Sequence, residues 1–310
     1  MSYNLNRFHR FHPSNQSHPP YRSQLRQDPV SGDWVLVAPR RSRRPHSLIP
    51  KKKPRKPSPV KTCPFENPQA TGHGEPILSY PSYSSYRSYQ SYTTYRTNKT
   101  NRTDRPNWSL QIIPNKYPAV QLGPIRPISP IGPISPIGLI SPIGSPIYNL
   151  KNAFGRHELL ITRDHRKNFP KLTPAEAALV FQAFRQSYRM LQKDRGLEYI
   201  SMFHNWGVSA GASIYHPHYQ LIAIPVIPPD VNHSLVGSKN YYRKRKTCIH
   251  CLMIAAETKH QKRIIAENKE SIAFAPFVSR SPFEVRIFPK KHLPYFEGTP
   301  DRTLSAISET

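Results

Sequence analysis

Five consecutive residues, His216-Pro217-His218-Tyr219-Gln220, set two imidazoles and a carboxamide at alternate positions. In an extended strand alternate side chains share a face, so His216, His218 and Gln220 would line one small site while Pro217 and Tyr219 turn away. Proline donates nothing to a strand ladder, so Pro217 belongs at a strand start or edge, where it stiffens the backbone that carries both rings. A neutral imidazole, with an ordinary pKa of about 6.5, attacks phosphorus at neutral pH without a separate base, and the product is a phospho-imidazole. Two histidines at this spacing also serve as a structural pair or as metal ligands, and the pentapeptide alone does not choose. A second group, Cys248-Ile249-His250-Cys251, has the cysteine spacing of half a zinc knuckle. With 3 cysteines in all and no apolar signal core at the start, metal ligation suits this pair better than a disulfide framework.

The elements that must hold these groups are readable around them. Tyr199 to His204 and Tyr219 to Ile224 read as strands on either side of a Gly/Ala/Ser-rich turn from Gly207 to Ser213. Thr173-Pro174-Ala175-Glu176 is a capping box with proline at the first helical position, and Ala177, Val180, Phe181, Phe184, Tyr188 and Leu191 follow at helical spacing, so a helix is expected up to Gly196. Further strands are expected at Trp34–Ala38, Trp108–Ile113, His157–Thr162 and Phe283–Phe288. A strand, a basic segment ending in a histidine (His165, His292) and a Thr-Pro helix start (Thr173, Thr299) occur twice, which points to an internal duplication whose second copy stops at Thr310.

The remainder is connector. Residues 1–24 read as a disordered arm, residues 50–59 as a Lys/Pro-rich linker, and residues 80–102 and 124–147 as simple-sequence insertions, the first of Tyr with Ser, Thr and Arg, the second of Pro-Ile-Ser/Gly. The expected division is a first unit over 25–235 and a partial second unit over 245–310. A formal charge of +27 demands an anionic partner, whether nucleotide, sugar phosphate, nucleic acid or membrane surface. No run approaches the roughly 18 apolar residues of a membrane span, and a cytoplasmic location is expected.

The 18-residue run from Phe203 to Gln220 closely resembles the active-site signature of the galactose-1-phosphate uridylyltransferase family, within the histidine triad superfamily. The resemblance extends to Asp33–Pro39 with Arg41, Arg44 and Pro45, to Cys63-Pro64-Phe65, to Asn115–Ala119, to the strand ending at His165, and to Phe274–Phe277 through Lys291-His292. It implies an α+β fold of duplicated histidine-triad-like units, each an antiparallel sheet with packed helices, the second incomplete. It implies that His218 is the nucleophile of UDP-glucose–hexose-1-phosphate uridylyltransfer, taking the uridylyl group as a covalent intermediate. Gln220 and the Gly211-Ala212-Ser213 turn would hold phosphate, Arg41 and Arg44 would contact substrate, and Asn115, Lys116 and Asn205 would contact the nucleotide. Zinc would be held by Cys63, His165 and His216, with Glu66 where many members have a second cysteine; a possible second site would use Cys248, Cys251 and His292, with His250 or water in the fourth place. A homodimer is implied, with the active site at its interface. Two other readings remain open: a related phosphorylase or adenylyltransferase using ADP-glucose, because the histidine chemistry is indifferent to the base, and an inactive basic nucleic-acid-binding derivative of the fold.

Overall fold

A computed structural model describes residues 24–37, 58–81, 108–120, 153–207 and 210–310. The centre is a five-stranded, wholly antiparallel sheet made of β3 (Leu78–Pro81), β4 (Trp108–Pro114), β5 (Arg156–Thr162), β6 (Tyr199–Phe203) and β7 (His218–Ile224), in the order β3-β4-β5-β7-β6. One face packs on helix α1 (Pro174–Leu191): Leu110, Ile112, Leu160, Tyr219, Leu221 and Ala223 meet Leu179, Val180, Ala183 and Phe184. Alternation sends their neighbours to the other face, where Leu159 and Ile161 join Phe65, Cys63 and Ile113. His218 and Gln220 lie on that second face of β7. The strand starts directly after Pro217, as a residue without an N–H requires.

α1 begins where the sequence says it must. Thr173 Oγ1 accepts from Glu176 N (3.3 Å), and Thr173 N donates to Glu176 Oε2 (2.7 Å). A second, three-stranded sheet, β8 (Ile264–Glu267), β9 (Ser271–Phe274) and β10 (Arg286–Pro289), is also antiparallel. Helix α4 (Asp301–Glu309) is tied to it by Asn268 Nδ2, which donates to Ala306 O (2.8 Å) and Thr310 Oγ1 (2.9 Å). The order of parts repeats: a Cys-x-x-Glu or Cys-x-x-Cys turn, three strands paired in sequence, a histidine just beyond the third strand (His165, His292), then a helix that starts at Pro174 or Asp301. A two-stranded ribbon, β1 (Gln24–Gln27) with β2 (Trp34–Val37), completes the strands among the described residues.

Several sequence-based boundaries move. Tyr80 and Pro81 belong to β3 rather than to the Tyr-rich insertion; Tyr80 is buried and bonded to Gln186 Oε1 (2.8 Å), so local repetition conceals a core strand residue. β1 takes in Gln24, from the segment read as a disordered arm. The strand expected at Phe283 starts only at Arg286, because Phe283 sits at φ 62° in a turn that Glu284 closes by accepting from Arg280 N (2.7 Å). Helix α2 (Pro229–Arg245) crosses the boundary placed near 235–245, and helix α3 (Ile249–His260) follows it. Nearly all of both insertions, and the Lys/Pro linker but for Ser58 and Pro59, lie outside the described residues. Among the described residues no helix is long and apolar enough to cross a membrane.

Candidate active site

His218 stands at the first position of β7, paired with Ile161 of β5 and 8% exposed. Its Nδ1 donates to His216 O (3.0 Å), and this fixes the tautomer: Nε2 carries the lone pair. Burial holds the ring below the ordinary histidine range, against that hydrogen bond, so it is neutral near pH 7. Phe65 sets its ring edge-on to both histidines, 5.1 Å from His218 and 5.9 Å from His216. His204 Nδ1 donates to His218 O (2.8 Å), which secures the backbone on the other side.

His216, fully buried, commits the opposite nitrogen. Its Nε2 donates to Thr162 O (2.7 Å), so Nδ1 points inward with its lone pair, 3.6 Å from Cys63 Sγ and 3.4 Å from Glu66 Oε1. His165 is set the same way: Nε2 donates to Ser58 O (2.9 Å) and Nδ1 lies 3.0 Å from Glu66 Oε1. One donor atom from each of Cys63, Glu66, His165 and His216 falls within 4.8 Å of every other. Two imidazole lone pairs, a sulfur and a carboxylate converge in a buried space where the Cys63 S–H and Arg163, 3.1 Å from Glu66 Oε2, are the nearby donors; a cation among them would engage all four groups, and backbone carbonyls on the outer nitrogens are how proteins aim metal-bound histidines. Burial pushes the Cys63 thiol up and His216 down to about 4, so the imidazole is unprotonated and ready to ligate, whereas the thiol must lose its proton to a metal. The four residues fit a tetrahedral ion of the zinc kind.

The second group also assembles. Cys248 precedes α3 and Cys251 lies in its first turn, and both gather with His292, whose Nδ1 is 3.2 Å from Cys251 Sγ. His250 is not among them; its Nε2 lies 3.3 Å from Ser238 Oγ, so it does not fill the fourth place.

Of the other expected contacts, Gln220 and Asn115 meet at one residue that the sequence did not single out, His157 of β5. The register pairs His157 with Ile222 and puts Gln220 on the diagonal, within reach on the same face. The only sequence signal was alternation with Leu159 and Ile161. Lys116 is held by the loop before β3, its Nζ donating to Thr71 O (3.1 Å). Asn205, half-buried, follows β6 between His204 and Trp206, whose rings stack 6.2 Å apart. Gly207 and Gly211 have φ of 82° and 79°, the left-handed backbone that lets the turn fold over so that Ala212 N donates to Gly207 O (3.1 Å). Ser213 lies just beyond this turn, exposed. Arg41 and Arg44 lie outside the described residues.

Comparison with known proteins agrees with this geometry. The sequence model described as "Domain of unknown function (DUF4921)" matches residues 155–309, half of the chain. An ADP-glucose phosphorylase of Arabidopsis thaliana is 28% identical over 280 residues, 90% of this chain and 69% of the relative. A galactose-1-phosphate uridylyltransferase of Thermotoga maritima is 28% identical over 135 residues, 44% of this chain and 42% of the relative. A crystal structure of an ADP-glucose phosphorylase from Arabidopsis thaliana with bound ADP-glucose superposes with a TM-score of 0.65 at 25% identity, covering 93% of this chain and 74% of that one. The chain therefore belongs to the DUF4921 family, and its homologues are proteins of the galactose-1-phosphate uridylyltransferase type, an ADP-glucose phosphorylase among them.

Proposed function

We propose that the chain transfers a nucleoside monophosphate from a nucleotide sugar to a phosphate acceptor through a covalent bond to His218. The observation that carries this is the tautomer: with Nδ1–H committed to His216 O, the buried neutral ring offers Nε2 as a nucleophile. Nε2 attacks the α-phosphorus, the P–N bond forms, and the P–O bond to the β-phosphate breaks, releasing a hexose 1-phosphate. An acceptor phosphate oxygen then attacks the same phosphorus, and the electron pair of the broken P–N bond returns to Nε2. Gln220 and the backbone and hydroxyl of Gly211-Ala212-Ser213 hold the phosphate oxygens, Arg41 and Arg44 add charge, and Asn115, Lys116 and Asn205 flank the nucleotide.

UDP-glucose with a hexose 1-phosphate acceptor is the reading drawn from the sequence motifs. ADP-glucose is the second reading, favoured by the plant phosphorylase, which over a similar share of the chain is 28% identical against 24% for a yeast galactose-1-phosphate uridylyltransferase. Cys63, Glu66, His165 and His216 would hold zinc, which supplies a cross-link that locks His216 and so the backbone carbonyl that orients His218. A homodimer is part of the same proposal and is checked by light scattering.

The test is to incubate the protein with α-phosphate-labelled UDP-glucose and, separately, ADP-glucose, and look for an acid-labile, base-stable adduct. The expected outcome is labelled wild-type protein with at least one of them and none in His218→Asn. Labelling of His218→Asn at the wild-type level would move the nucleophile elsewhere. RNA binding with steep salt dependence and no adduct would favour the nucleic-acid-binding reading instead.

A further inference from the structure

We infer that His157 is the positioning residue that turns the Gln220 carboxamide so that its amino group, not its oxygen, is offered to the substrate phosphate. The inference deepens the proposed nucleotidyl transfer and rests on it. Ala119 N lies 3.0 Å from His157 Nδ1, and a backbone N–H can only donate, so Nδ1 is the acceptor of this ring. In the neutral imidazole the proton is then on Nε2, which lies 3.0 Å from Gln220 Oε1 and donates to it. The reverse orientation of Gln220 would set its amino group against that N–H, donor against donor. The carboxamide oxygen is thereby consumed inside the protein, and Nε2 of Gln220 is what remains for an anion on the His218 face of β7. The alternative presentation, an oxygen facing a phosphate, would repel the substrate.

Asn115 braces the same ring. Its Oδ1 accepts from Tyr117 N (2.9 Å), which fixes the amide, so its Nδ2 is a donor that has only the Nδ1 lone pair to address, at 3.4 Å; its 3.0 Å approach to Nε2, which carries the proton, is packing of the amide on the ring and not a hydrogen bond. Asn115 therefore reaches the site through His157. The chain of contacts runs from the Ala119 backbone through His157 to Gln220, and it joins the segment after β4 to the centre of the sheet.

The test is a double-mutant cycle on the rate of adduct formation, with the nucleotide sugar that labels wild-type protein. His157→Phe keeps a ring but has no donor, and is expected to slow labelling on the order of 10–100-fold. In a Gln220→Ala background the same substitution should add almost nothing, because its effect passes through Gln220. His157→Gln, which returns an N–H donor near the position of Nε2, should recover most of the rate. Proton–nitrogen correlation spectra should show the His157 ring as the Nε2–H tautomer in the substrate-free protein, a readout that needs no turnover. Additive losses in the cycle, or an Nδ1–H tautomer, overturn the inference while leaving the His218 reading intact. Absence of any adduct in wild-type protein overturns the His218 reading and this inference with it.

Discussion

His216 and His218 stand two residues apart and present different nitrogens, because each ring has one nitrogen committed to a different carbonyl. His216 gives Nε2–H to Thr162 O and turns Nδ1 to the Cys63, Glu66 and His165 group, whereas His218 gives Nδ1–H to His216 O and keeps Nε2 as the atom proposed to attack phosphorus. Breaking the first group should therefore act on the second ring indirectly. Cys63→Ser is expected to lower bound zinc, measured by mass spectrometry on dialysed protein, and to lower the melting temperature along with it; folded protein with no metal in either form would remove the zinc assignment. Another buried group sets a pH dependence. Glu158, 5% exposed on the α1 face of the sheet, accepts from Ser187 Oγ (2.5 Å), and burial raises its carboxyl above the ordinary value against that bond and the nearby Arg156. A folded pKa above the unfolded one means the folded state binds the extra proton. Stability from this group thus falls as pH rises from the ordinary carboxylate pKa through the raised one, then levels off. Glu158→Gln, which keeps an acceptor for Ser187, should abolish that fall and stabilise the protein near pH 7, as denaturant melts across the pH range would show. An unchanged pH profile would mean the carboxyl titrates alike in both states. The proposed nucleophile, His218, stood out in the sequence because His216, whose carbonyl takes its Nδ1–H, is two residues before it in the chain. His157 did not, because its link to Gln220 exists only once β5 and β7 pair in register.

At the scale of elements, α1 and α2 show what sequence patterns can and cannot announce. α1 has a capping box, a first-turn proline and an apolar face that covers the sheet, and all three signals are local. Thr173→Ala removes the cap and should cost about 1 kcal/mol, a melting shift of about 2–4 °C for a chain of this size, while Thr173→Ser should cost little. α2 shares only the first-turn proline: none of its side chains is buried, so no apolar period appears, and the sequence reading ended the first unit inside it, at 235. What fixes it is a backbone contact at Gly237, where an added Cβ would stand 1.8 Å from Val30 O and 2.9 Å from Val30 C. Alanine in a helix interior is ordinarily worth about 1 kcal/mol over glycine. A collision with backbone cannot be relieved by turning a side chain, and such overpacking costs roughly 1–3 kcal/mol. Gly237→Ala is therefore expected to destabilise, with faster amide exchange around residues 28–32, whereas Lys239→Ala, at an exposed position two residues further along α2, should be neutral. A stabilised Gly237→Ala protein would mean that α2 is not seated on that turn.

At the scale of the molecule, the duplicated order of parts was visible from two Thr-Pro helix starts, each preceded by a histidine. The pairing of β8, β9 and β10 as a second sheet needed the structure, because those strands are four residues each and too short for a clear alternation. The two sheets are joined by a seam between α1 and α4. Arg185 of α1 reaches Thr299 O and Asp301 at the start of α4, Arg189 Nε donates to Glu297 O (2.8 Å), and Tyr188 sets its ring edge-on to Phe296 at 6.0 Å. Arg185 is mostly buried but Asp301 is half exposed, so solvent screens the pair and the hydrogen bonds to α4 carry the contact. Arg185→Ala should cost about 1–2 kcal/mol in charge-assisted hydrogen bonds. Asp301 stays favourable at a helix N-terminus, so α4 itself should survive the change. The cost is expected to fall unevenly: amides of α4 and β9 should exchange faster while those of β5 and β7 keep their protection, because the core under α1 does not depend on the seam. If β5 and β7 amides accelerate by the same factor, the two sheets unfold as one cooperative unit and the seam is part of a single core.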